Sequence, residues 1–171
     1  KDVLTWGKLK RPQILEKLLQ ALALQIGSEV KYHEVGQIIG ADPKTVENYI
    51  DILEKAFVVF RVHSLSRNMR NEIKKGKKIY FYDNGIRNAI LKNFSPLIMR
   101  QDVGGLWENF LITERMKKNH YTRTYVNIFF WRNHAQQEID YIEEAQGNFS
   151  AFEFKWNVKK KAFFSQTFLN A

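Results

Sequence analysis

The feature that most constrains the fold is a change in the spacing of apolar residues within the first half of the chain. Between Ile14 and Ile26 apolar residues recur three and four positions apart, which is the pattern of one buried helix face. Asp42 followed by Pro43 predicts another helix start, because aspartate caps helices and proline fits their first turn. Residues 57–62 are then β-branched and aromatic, as in a strand. The chain therefore begins with helices and continues with a sheet.

The order of elements in the first half indicates a known supersecondary arrangement. A short apolar segment at 35–39 adds a helix between the two above, and a strand-like run at 79–82 follows the first strand. Asp83-Asn84-Gly85 ends that strand and starts a further short helix. Three helices followed by a two-stranded hairpin are typical of a winged helix-turn-helix. We predict such a domain over residues 1–93.

The second half repeats the change from helix to strand. Pro96 and Gly104-Gly105 bound a connector, and a new apolar helix face starts at Leu106. Strand-like segments follow at 126–131, 138–142 and 151–156, and helical spacing resumes at Val158. We predict an α/β domain over residues 94–171 that is incomplete at its C-terminus. The fold class of the whole chain is predicted to be α+β.

The charge balance favours a polyanionic partner. The chain has 27 Lys and Arg against 18 Asp and Glu, a formal charge of +9, and such a surplus promotes association with nucleic acid. The predicted DNA contacts lie at the start of the third helix and on the basic hairpin: Lys44, Thr45, Asn48, Arg70, Lys74, Lys75, Lys77 and Lys78. Outward-facing Glu47 and Asp51 would repel phosphates. Such domains also serve as protein-docking modules, so both interpretations stay open.

Composition excludes several other classes. The chain has no cysteine, which excludes disulfides and thiolate metal sites and fits a cytoplasmic protein. No apolar run approaches the about 18 residues that a membrane span needs, so we expect no membrane partner. The four histidines show no metal-ligand spacing.

The candidate chemistry lies in carboxylates of the second half. Glu138 and Asp140 alternate on one predicted strand, and Glu153 and Lys155 alternate on the next. Glu108 lies on the preceding helix. Converging carboxylates can hold a divalent cation, and a neighbouring lysine can orient water for phosphodiester hydrolysis. Each acid taken alone is equally typical of a solvated helix or strand face.

Taken in order, these residues resemble the PD-(D/E)xK nuclease superfamily, whose core is a helix, a three-stranded meander, a helix and a strand. The resemblance implies a truncated restriction-endonuclease-like α/β domain. It further implies that Asp140 and Glu153 bind Mg²⁺, that Lys155 positions the attacking water, and that Glu108 is an additional catalytic residue. Ile139 stands before the aspartate where the superfamily's motif has proline.

A second resemblance covers nearly the whole chain. The winged helix and the segments Y-F-Y-D-N-G (80–85), L-W-E-N-F (106–110), E-I-D (138–140) and E-F-K (153–155) are similar to the C-terminal half of prokaryotic AAA-type ATPases. Those proteins carry a domain of unknown function after the motor. Because this chain has no G-x-x-x-x-G-K-[S/T] motif, the resemblance implies that ATP binds only in a preceding domain. It also implies motor-domain contacts or a homo-oligomer.

Two functions follow from these observations. The first is a nucleic-acid-associated C-terminal fragment of an AAA-type ATPase with a Mg²⁺-dependent phosphodiester-cleaving site. The alternative is a catalytically silent nuclease-like domain that serves as a DNA-binding, regulatory or subunit-assembly module. The position of the carboxylates in the fold decides which interpretation is favoured.

Overall fold

The computed structural model describes residues 11–65, 76–133, 135 and 137–157. Within these ranges five α-helices accompany one six-stranded mixed sheet, so the predicted α+β class is confirmed. The helices are α1 (Pro12–Leu24), α2 (Tyr32–Ile39), α3 (Pro43–Lys55), α4 (Asn84–Ile90) and α5 (Val103–Tyr121), with a 3₁₀ turn at Leu97–Met99. The strands are β1 (Glu29–Val30), β2 (Val59–Ser64), β3 (Lys77–Phe81), β4 (Asn127–Arg132), β5 (Glu138–Ala145) and β6 (Asn148–Phe152).

The helix starts follow the local sequence signals. Pro12 occupies the first turn of α1, as predicted. The predicted cap of α3 is confirmed, because the Asp42 carboxylate accepts a hydrogen bond of 2.9 Å from the Thr45 backbone N–H. None of the helices in the described ranges has the length and apolar character needed to cross a membrane.

The six strands lie in the order β1-β3-β2-β4-β5-β6. All neighbours are antiparallel except β2 and β4, which pair in parallel through His63 with Phe129 and Ser64 with Phe130. The sheet therefore continues across residue 93, where we predict the boundary between two domains. That division, like the winged-helix and nuclease-like folds, stays a prediction.

Both faces of the central strands are covered. Four of the five residues of β3 are buried, and so are four of the six residues of β2. Helices α1–α3 and α5 contribute to one connected core, which contains Leu18, Val35, Ile50, Val59, Tyr80, Ile112, Phe130 and Tyr141. Burying each large apolar side chain stabilises the fold by roughly 1.5–3 kcal/mol. The core thus holds α5 against the sheet.

The side chain of Asn109 fixes the position of α5 relative to β3. Buried Asn109 accepts a hydrogen bond of 2.8 Å from the Phe81 N–H and donates one of 3.0 Å to the Phe81 carbonyl. Its amide also donates to the Asn84 side chain at 2.9 Å. The segments around residues 80–85 and 106–110 therefore touch each other. As a result Glu108, next to Asn109, lies beside β3.

A buried arginine anchors the connector before α5. Arg87 is 2% exposed, and its Nε donates a hydrogen bond of 2.8 Å to the Ala23 carbonyl. Its guanidinium pairs with Asp102, which also accepts hydrogen bonds from Arg100. Hydrogen bonds from Arg100 and Arg87 hold the pKa of Asp102 well below its usual range despite partial burial. The start of α5 is therefore tied to α1 and α4.

Most strand boundaries differ from the sequence predictions by one to four residues, and two of these differences have a clear structural reason. The strand predicted from residue 57 is β2 and begins at Val59, because Phe57 has a left-handed φ of 56° within a turn. The last strand was expected to reach residue 156 but ends at Phe152. Beyond Phe152 the Phe154 N–H donates to the Asp140 side chain at 2.8 Å instead of to a backbone carbonyl. The helix predicted from Val158 lies outside the described residues.

Candidate functional site

Glu108 projects from α5 towards the sheet. Its Oε1 accepts a hydrogen bond of 2.5 Å from the Tyr80 hydroxyl and lies 3.1 Å from the Lys78 Nζ. The backbone of Gly27 passes close by with a left-handed φ of +76°, and an added Cβ would stand 3.3 Å from Glu108 Oε2. Glycine therefore suits that position both sterically and conformationally.

Lys78 lies inside the protein, which corrects a sequence prediction. We expected it to contact DNA phosphates from a surface hairpin, but its side chain is 1% exposed and forms ion pairs with Glu108 and Glu138. Strand alternation places Lys78 on the same face of β3 as Tyr80, beside α5. A phosphate contact on the surface is therefore excluded for this residue.

Asp140 lies in the middle of the same region. The residue is 7% exposed, and its Oδ2 accepts the hydrogen bond from the Phe154 N–H. Glu138 precedes it by two positions on β5 and interacts with Lys78 and with Arg132, whose Nε lies 3.6 Å away. The sequence predicted the strand that carries both acids, and β5 confirms it.

Glu153 and Lys155 lie just after β6 and pair with each other. The Glu153 side chain is 10% exposed, and its Oε2 has no hydrogen-bond partner among the described residues. Burial raises the pKa of Glu153, the Lys155 hydrogen bond opposes this, and the charge of Asp140 adds to the rise. An unpaired buried polar atom costs about 1–3 kcal/mol. Glu153 is therefore held in an unfavourable environment.

The separate contacts combine into one group, here called the carboxylate cluster: Glu108, Glu138, Asp140 and Glu153 together with Lys78 and Lys155. Burial raises the pKa of Glu108, an effect that Lys78 opposes and Asp140 strengthens. Burial alone would lower the pKa of Lys78 and of Lys155, but attraction to the surrounding carboxylates raises both. The pKa values of Glu108, Glu153 and the two lysines therefore depend on the charges around them.

The carboxylate cluster offers oxygen atoms, the ligand type that Mg²⁺ takes in proteins. Within the described ranges no three His, Asp or Glu side chains surround one point closely enough to hold a metal ion. Mg²⁺, however, usually takes only one or two protein carboxylates and completes its shell with water and substrate phosphate. Asp140 and Glu153 are the two carboxylates predicted for this role, and Glu153 Oε2 is an acceptor without a partner in the described part of the chain.

The predicted DNA contacts on α3 are accessible but engaged locally. Lys44 Nζ lies 2.9 Å from a Glu47 carboxylate oxygen, and the Thr45 hydroxyl donates to Asp42 at 2.6 Å. Asn48 is exposed and lines an open groove of about 730 Å³ between α2 and α3. Asp51, which we expected to repel phosphates, pairs with Arg61. The negative charges of this helix are thus largely neutralised.

The hairpin residues have different positions. The Lys77 ammonium lies over the Tyr32 ring, 4.8 Å from its centroid. Arg70, Lys74 and Lys75 lie outside the described residues. The predictions for these four residues are therefore not tested by the fold.

Two family models divide the chain between them. The first, described as Domain of unknown function (DUF8612), matches residues 1–97, which is more than half of the chain. The chain belongs to this family. The second, described as Domain of unknown function (DUF4143), matches residues 103–171. The expected domain of unknown function is thus found. In the carboxylate cluster Lys78 comes from the DUF8612 match, and every other member comes from the DUF4143 match.

The curated relatives carry no assigned activity. Uncharacterized proteins of Mycobacterium bovis and Mycobacterium tuberculosis are each 24% identical to the chain over 127 residues, which covers 71% of the chain and 27% of the relative. The chain therefore spans about a quarter of the length of these relatives. No solved structure matches the chain significantly.

Proposed function

We propose that the chain is the nucleic-acid-associated C-terminal part of an AAA-type ATPase and that its carboxylate cluster is a Mg²⁺-dependent phosphodiester-cleaving site. The main support is the buried Glu153 Oε2, which has no hydrogen-bond partner in the described ranges. The charge of Asp140 also repels the Glu153 carboxylate. A divalent cation would relieve both penalties. DUF4143 domains are common in ATPase-associated proteins, which supports the link to a motor.

The residues of the cluster take different roles in this proposal. Asp140 and Glu153 hold Mg²⁺, which when bound neutralises charge that develops on the phosphate during displacement. Lys155, paired with Glu153, orients the attacking water. Glu108 was expected to be catalytic, but its contacts with Tyr80 and Lys78 favour a positioning role.

The DNA partner is supported by charge. The chain carries a formal charge of +9, and exposed Lys44 stands at the start of α3, where helix-turn-helix proteins contact DNA. Its pair with Glu47 is solvent-exposed, and such pairs contribute little. A phosphate can therefore compete for this lysine.

A plasmid-nicking assay in Mg²⁺ tests the proposed reaction. We expect Asp140→Asn to lower the nicking rate at least about a hundredfold, since it removes one of the two carboxylates proposed to hold the Mg²⁺ that stabilises charge on the reacting phosphate. Lys155→Ala should also be strongly impaired. The matched control is Glu114→Gln, which removes an exposed carboxylate of α5 that pairs only with Lys117 among the pairs of the described residues. Nicking that survives both cluster substitutions would disprove the assignment.

The silent-domain alternative is favoured by one observation. Lys78 already places a positive charge between Glu108 and Glu138, as expected for a cluster stabilised without metal. If this alternative holds, the wild-type chain binds DNA with a steep salt dependence and does not nick it in Mg²⁺. Measuring binding and nicking on the same preparation separates the two functions.

A further inference from the structure

Lys78 reaches the carboxylate cluster from a different part of the chain than every other member. It lies on β3, within the DUF8612 match, whereas its partners Glu108 and Glu138 lie within the DUF4143 match. Its ammonium also lies 5.5 Å from the centre of the Phe130 ring, which is fully buried. The first family domain thus delivers a cation into the acidic site of the second.

The charges of the cluster do not balance. Four carboxylates face two lysines. Arg132, which lies 3.6 Å from Glu138, also lies 4.0 Å from Glu29 outside the cluster, so two negative charges remain in formal terms. Lys155 forms an ion pair with Glu153, and Lys78 forms ion pairs with both Glu108 and Glu138. Because Lys78 is almost completely buried, water screens its charge weakly. Lys78 therefore strongly repels any other cation that enters the cluster.

We propose that Lys78 is the built-in counter-cation of the carboxylate cluster and that it limits how tightly the cluster binds a divalent cation. This rests on the cation site of the proposed function, but not on cleavage. Removing Lys78 leaves four carboxylates against one lysine, which strengthens the attraction for Mg²⁺. Lys78 is thus a positioning residue through which the DUF8612 domain tunes the DUF4143 site.

The test is Mg²⁺ binding by calorimetry, with Lys78→Met compared with the wild-type chain. We expect the variant to bind Mg²⁺ at least about tenfold more tightly, because Lys78 is a buried unit charge that interacts with Asp140, and removing such a charge has an effect of this size or larger. Without Mg²⁺ its melting temperature should fall, and Mg²⁺ should restore more of the loss than it adds to the wild type. A merely structural lysine would give the loss of stability without the gain in affinity.

Two further variants keep the test decisive. Lys78→Met combined with Glu138→Gln restores the original surplus of two negative charges, so its Mg²⁺ affinity should return close to the wild-type value. This double variant also leaves Glu108 as the one former partner of Lys78 that still carries a negative charge, which reduces the loss of stability if Lys78→Met alone fails to fold. The matched control is Lys117→Met, which removes an exposed lysine of α5 and should leave Mg²⁺ affinity unchanged.

The possible outcomes separate this inference from the proposed reaction. If Lys78→Met binds Mg²⁺ within twofold of the wild type, or the double variant binds as tightly as a folded Lys78→Met, the inference is overturned even where nicking is observed. If affinity rises as expected and Asp140→Asn abolishes the rise, the inference stands even where DNA is never cut.

Discussion

Glu143 and Glu153 are both glutamates with little exposed surface, yet their environments are opposite. Each oxygen of Glu143 has a partner: Arg115 donates two hydrogen bonds, of 2.9 and 2.6 Å, and Asn119 donates one of 2.7 Å. Glu153 has Lys155 on one oxygen and, within the described ranges, nothing on the other. Burial raises the pKa of both, but only at Glu143 do the hydrogen bonds outweigh it and lower the pKa.

The difference indicates a structural role for Glu143 and supports the role in metal binding that we propose for Glu153. A buried carboxylate whose acceptor sites are filled holds its neighbours in place. One with an empty acceptor site destabilises the fold, and such sites are frequent where a ligand binds. Sequence alone had singled out Glu153 and not Glu143, although Glu143 lies within β5 and Glu153 directly follows β6.

The largest change in stability is expected on replacing Glu143, the acid whose two oxygens both have hydrogen-bond partners. Glu143→Ala should lower the free energy of unfolding by about 3 kcal/mol, because it leaves Arg115 and Asn119 without their partner. Chemical denaturation measures the change. Glu114→Ala is the control, since this glutamate of α5 is exposed and pairs with Lys117 among the described residues, and it should leave the denaturation midpoint in place. An equal loss of stability in both variants would show that Glu143 contributes no more to stability than an exposed glutamate does.

Lowering the pH should reduce the contribution of Glu143 to the stability of the fold. This effect should be smaller than that of removing the side chain. The folded-state pKa of Glu143 is lowered, so its contribution is present above the unfolded value of about 4.3 and is lost as pH falls through the folded value. Melting temperatures between pH 7 and pH 3 should therefore fall less for Glu143→Gln than for the wild type. Parallel curves would show that Glu143 carries no such contribution.

Glu153 should respond with the opposite sign. We expect Glu153→Gln to raise the free energy of unfolding by about 1 kcal/mol in metal-free buffer, because a neutral amide avoids a buried and incompletely bonded charge. Thermal unfolding in the presence of a chelator measures this, with Glu114→Gln on α5 as the exposed control. Destabilisation by Glu153→Gln would mean that this acid is structural, like Glu143.

The smallest effect is expected on α3. Lys44→Ala should not change the melting temperature, because its pair with Glu47 is exposed. In the proposed function the same substitution should weaken DNA binding and reduce its salt dependence. Fluorescence anisotropy on one duplex at several salt concentrations measures both. If the dependence of DNA affinity on salt concentration is unchanged, Lys44 does not contact DNA phosphates.

Local signals predicted much of the fold. Asp42 and Pro43 predicted the start of α3, and the alternation of Glu138 and Asp140 predicted β5. The end of β6 was missed, because the Phe154 N–H turns to the Asp140 side chain, a tertiary contact without a local signal. The parallel pairing of β2 with β4 also joins segments far apart in sequence.

The candidate site was only partly predictable. Glu108 and Glu138 were named from their spacing, but their common partner Lys78 was assigned to the surface because it stands in a run of basic residues. Extending the predicted strand by two residues would have placed Lys78 on the face of Tyr80. Which face α5 covers depends on Asn109 and its contacts with Phe81, and these are visible only in three dimensions.

The parallel contact between β2 and β4 has a consequence for handling the protein in pieces. Its two residue pairs connect strands from the two family matches. Cutting the gene between the two would uncover the edge of β2 in one fragment and the edge of β4 in the other, and bare strand edges template intermolecular pairing. Separately expressed halves are therefore expected to aggregate, whereas co-expression allows each to shield the other.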